Sequence, residues 1–169
     1  MNIVETLRKG NSRKDYMMIA DYVGNNDERF QLLMDLFWQD DKTITQRVSN
    51  PIAFCIERYP SLLDNHYPKV IHGLKEGGYD IIRRNCIRFL QFASIPDDFM
   101  GEVADLCFSL LSDVKEPIAI KVFSMTVLFN ISKVYPELRP ELIFLIKEQL
   151  PYGSAGFKSR ANKILKQLN

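Results

Sequence analysis

The stretch from 116 to 136, EPIAIKVFSMTVLFNISKVYP, limits what this chain can fold into more than any other. It carries Ile118, Ile120, Val122, Phe123, Met125, Val127, Leu128, Phe129, Ile131 and Val134. Wound at 3.6 residues per turn, these residues fall on nearly every side, so the helix must be covered on most faces. A membrane span needs about 20 apolar residues in a row. This run is shorter and contains Lys121, Asn130 and Lys133, so it reads as a buried core helix with neighbours on both sides.

The rest of the chain supplies such neighbours. Helical periodicity predicts elements over 1–9, 12–23, 28–38, 43–59, 62–75, 79–93, 99–111, 116–136, 137–150 and 155–168, and no alternating strand pair is found. Ser12 with Asp15 forms a variant capping box, and Asp27 is the expected cap of the third helix. Apolar stripes follow: Tyr16, Ile19, Ala20 and Val23, then Phe30, Leu33, Leu36 and Phe37. Asn50-Pro51 predicts a kink or break within 43–59, because proline lacks a donor and crowds the preceding turn. Pro68 places the regular start of the next helix near Tyr67, and Gly77-Gly78 ends it.

Landmarks recur along this series. Arg13, Arg47, Arg84, Lys121 and Arg160 each stand early in the second helix of a pair, at intervals of 34, 37, 37 and 39 residues. Leu36, Leu74, Leu111 and Leu150 end first helices at intervals of 38, 37 and 39. A period of this length built from two helices predicts an α-solenoid. Asp41 with Ile44 and Arg47, Asp80 with Ile81 and Arg84, and Asp113 with Pro117, Ile118 and Lys121 set an aspartate in the turn before an apolar residue and a base. In this the chain resembles the HEAT and armadillo-like repeat families. The resemblance implies an all-α, right-handed α-α superhelix of four to five helix pairs. It would run as a single α-solenoid domain over 1–169, in units of approximately 1–24, 27–60, 62–95, 97–136 and 137–169.

Charge narrows the choice of partner. The chain holds 22 Lys and Arg against 21 Asp and Glu, split 12 to 12 over the first 85 residues and 10 to 9 over the rest. A phosphate backbone calls for a clear basic excess, so the balance argues against nucleic acid and against a polybasic membrane contact. The first residues do not read as a secretory signal. Cys55, Cys86 and Cys107 lack CxxC spacing and read as buried thiols of a reducing, cytoplasmic setting.

No catalytic motif is found, and no cofactor is expected. His66 and His72 stand six apart without a ligand cluster, so no metal site is expected. The basic column Arg47, Arg84, Lys121 and Arg160 has two readings. It is a positive stripe that meets a partner, or each base bonds a turn aspartate or carbonyl of its own or a neighbouring repeat. Lys158, Arg160, Lys163 and Lys166 likewise form either an interaction surface or the polar outside of a terminal repeat. The expected function is non-enzymatic binding of a protein or peptide. The resemblance also allows a nucleic-acid-binding relative of the alkylation-repair DNA glycosylases, with Trp38 beside Asp40 and Asp41 as its only echo. The short end helices offer a route to a homodimer.

Overall fold

Side chains placed just ahead of the apolar stripes set where the helices begin. In the computed structural model, which describes residues 1–76 and 80–169, Asn2, Ser12, Asn26, Asp41 and Ser154 each accept a hydrogen bond from an amide of the first turn that follows. The expected box forms at Ser12: its main-chain N–H donates to Asp15 Oδ2 at 2.9 Å, and the Asp15 N–H donates to Ser12 Oγ at 3.2 Å. Asn26 rather than Asp27 caps the third helix, since its Oδ1 reaches the Arg29 N–H at 2.9 Å. Asp27 instead opens that helix, where its charge suits the positive end of the dipole. Gly24 ends the second helix at φ +53°, a conformation that disfavours any side chain.

Among the described residues there are ten α-helices and no strand. They form two compact units, 1–94 and 95–169. The first holds α1 (Ile3–Lys9), α2 (Arg13–Val23), α3 (Asp27–Phe37), α4 (Lys42–Arg58), α5 (Tyr67–Glu76) and α6 (Asp80–Leu90). The second holds α7 (Asp97–Ser112), α8 (Ile118–Ser132), α9 (Arg139–Gln149) and α10 (Ala155–Leu168). The expected turn at Gly77-Gly78 lies outside the described residues.

Each unit is built around one helix. In the first, α4 packs on α1, α2, α3 and α6, and in the second α8 packs on α7, α9 and α10. From Ala119 to Ser132 every residue of α8 is buried or half-buried, so the helix is covered on most faces, as its apolar distribution requires. Pro51 does not break α4, which runs unbroken from Lys42 to Arg58. An interior proline costs about 3 kcal/mol. Val48, Ile52 and Ile56 are each fully buried around it, and each contributes roughly 1.5–3 kcal/mol, so packing outweighs the defect.

One stripe differs from expectation, and one helix buries few of its apolar residues. Met34 is buried in α3 while Leu36 is only half-buried. In α9 only Leu142 and Ile146 are buried; Ile143 and Leu145 are half-buried and Phe144 is 63% exposed. Five apolar residues in succession cannot all face one core across a helix.

Glycines divide by their surroundings. A Cβ on Gly73 of α5 would stand 2.8 Å from the Trp38 ring and 2.9 Å from Cys86 Sγ, whereas one on Gly101 of α7 meets nothing within 4 Å. Alanine gains about 1 kcal/mol of helix propensity at either site, but overpacking costs about 1–3 kcal/mol. Urea titration is therefore expected to show Gly101→Ala stabilised by about 1 kcal/mol and Gly73→Ala destabilised.

Candidate functional site

The periodic bases occupy different settings. Arg47 donates from Nη1 to the carbonyls of Leu7 at 2.7 Å and Arg8 at 3.0 Å, capping the C-terminal end of α1. Arg160 donates to Thr126 Oγ1 at 2.6 Å, tying α10 to α8. Arg84 is exposed on α6, and its charge acts on the half-buried Arg88. Burial pulls Arg88 below its ordinary value and Arg84 adds to that, while Glu57 opposes it. Arg88 itself bonds Asn50 Oδ1 at 3.1 Å.

Lys121 departs from this pattern. Only 9% exposed, its ammonium donates to Gln149 Oε1 at 2.9 Å. Arg47 and Arg160 reach back to the preceding pair, but Lys121 reaches forward to the following one. Gln149 in turn donates from Nε2 to the Leu111 carbonyl at 2.8 Å, taking at the end of α7 the capping role that Arg47 has at α1.

Lys121 lies on the wall of a cleft of about 580 Å³ within the second unit. Val114, Ile118, Leu145, Tyr152 and Phe157 form its apolar lining, and Glu116, Glu148 and Gln149 line it beside Lys121. The turn between α7 and α8 leaves Val114 88% exposed, and the short turn Leu150–Tyr152 leaves Tyr152 90% exposed. Gly153 permits that turn, because a Cβ there would stand 2.6 Å from the Phe157 ring. Large exposed apolar side chains around a concavity make this cleft the candidate site.

Other candidates resolve into packing. Asp41 accepts from the amides of Thr43 and Ile44, both at 3.1 Å, as the cap of α4. Trp38 stacks edge-on against Phe37 and lies under the Lys69 ammonium, 5.1 Å from the ring centre. On α10, Lys158, Lys163 and Lys166 are exposed while Arg160 turns inward. No group of three or more His, Cys, Asp or Glu side chains able to hold a metal gathers among the described residues. No helix of the described residues is long and apolar enough to cross a membrane.

Of the residues that line the cleft, the sequence singles out Lys121 alone for binding. The apolar succession from Leu142 to Ile146 is the signal that could have located the groove.

The family model of the HEAT repeat domain matches residues 3–168. No curated protein and no solved structure matches the chain.

All three thiols are buried. Burial pushes Cys55 up to about 12, with Arg58 opposing and Asp21 assisting, and burial raises Cys86 and Cys107 as well. A thiol attacks as its thiolate. Iodoacetamide is therefore expected to leave all three unmodified in the native protein near neutral pH and to alkylate all three in denaturant, as read by intact mass.

Proposed function

The chain belongs to the HEAT repeat family, and from that premise we propose that it works as a non-enzymatic scaffold whose protein or peptide partner docks in the cleft beside α8. Stacked helix pairs offer extended surfaces suited to protein segments. The observation that carries the reading is the cleft itself: an apolar concavity edged by Val114 and Tyr152, with the buried Lys121 on its wall. Of the four periodic bases, we assign contact with the partner to Lys121. Arg47 and Arg160 hold neighbouring helices together, and Arg84 contributes an exposed charge. The balance of basic and acidic residues also favours a protein partner over a polyanion.

The test is selection of binders from a displayed random-peptide library on the intact chain, followed by affinity measurement with the selected peptides. Val114 and Tyr152 are almost fully exposed, so Val114→Asp and Tyr152→Ser are expected to keep the native thermal transition while weakening the peptides about tenfold or more. Peptides that bind both variants as tightly as the parent would overturn the proposal.

A further inference from the structure

Building on the cleft as the docking site, we infer that its occupant is an apolar segment flanked by lysine or arginine, with a main-chain carbonyl received by Lys121. Three observations converge on this chemistry.

The first is the state of Lys121. Gln149 is held by its own bond to the Leu111 carbonyl, which fixes its Oε1 towards the ammonium. That bond uses one of three ammonium protons. The remaining protons can take further acceptors, and the cleft is the space that Lys121 lines.

The second is charge. Glu116 and Glu148 line the cleft together with Lys121, two acidic side chains to one basic. A carboxylate or phosphate drawn to Lys121 would also meet two glutamates. A carbonyl accepts from Lys121 without that repulsion, and a basic side chain at the rim complements the exposed Glu148.

The third is the continuation of the apolar surface. Phe144, 63% exposed, stands four residues before Glu148 on α9 and so shares its side of the helix. Beyond the cleft the alternation is therefore apolar, acidic, apolar, and a segment bearing apolar side chains beside a cation matches it.

Parallel selections from a displayed random-peptide library on the parent chain and on Glu148→Lys test the inference. The parent pool is expected to be enriched in Lys and Arg next to apolar residues and poor in Asp and Glu. Synthetic parent-selected peptides should lose about fivefold in affinity on Glu148→Lys and weaken as salt rises. Lys121→Met should weaken basic and neutral cleft binders alike, with the native thermal transition checked alongside. If the peptides respond to Tyr152→Ser yet are acidic or indifferent to Glu148→Lys, this chemistry is wrong while docking in the cleft stands. If they ignore Tyr152→Ser and Val114→Asp, docking in the cleft fails first. A single-stranded oligonucleotide that displaces them from the cleft would also defeat the inference.

Discussion

A helix of the usual kind ends with four carbonyls that have no donor of their own, and this chain meets that need partly from the next repeat. Arg47 serves Leu7 and Arg8 from 40 and 39 residues away, and Gln149 serves Leu111 from 38. Side-chain pairs keep a similar spacing: Arg58 with Asp21 at 37, Arg88 with Asn50 at 38, and Arg160 with Thr126 at 34. The repeat is thus a spacing of donors and acceptors as well as of apolar stripes. Apolar burial alone is non-directional, and hydrogen bonds of this kind fix how one pair sits against the next inside each unit.

Within that scheme the difference between arginine and lysine has a geometric result. The guanidinium of Arg47 is a planar fork that can serve two carbonyls at once. An ammonium on a flexible stem is a point donor, and at position 121 it takes a glutamine oxygen in the other direction. The task of closing the preceding helix then falls to Gln149. The cation still joins two neighbouring pairs, but it does so on the wall of a concavity, among apolar residues.

The parts of the fold that were legible in the sequence are those fixed by neighbours a few residues away. The Ser12–Asp15 box, the stripe from Tyr16 to Val23, and the all-round apolar character of α8 depend on local order and helical period. The break allowed for at Pro51 does not form, because the compensation comes from α1, α2, α3 and α6, which pack on α4. Asn26 and Asp27 are both good caps, and one residue of register separates them. Met34 and Leu36 exchange places for a similar reason, since both lie at the edge of one apolar stripe. The cleft was less legible still. The period found Lys121 but not the direction of its reach, and the exposure of Val114 and Tyr152 comes from how two turns close.

The sheath around α8 also bears on the order in which the chain is made. α7 precedes α8, but α9 and α10 follow it, and both belong to its covering. Until α9 and α10 have folded against it, an oily rod lies open on the sides those helices will close. The growing polypeptide must pass through this vulnerable interval at every round of synthesis, and the arrival of α10 ends it.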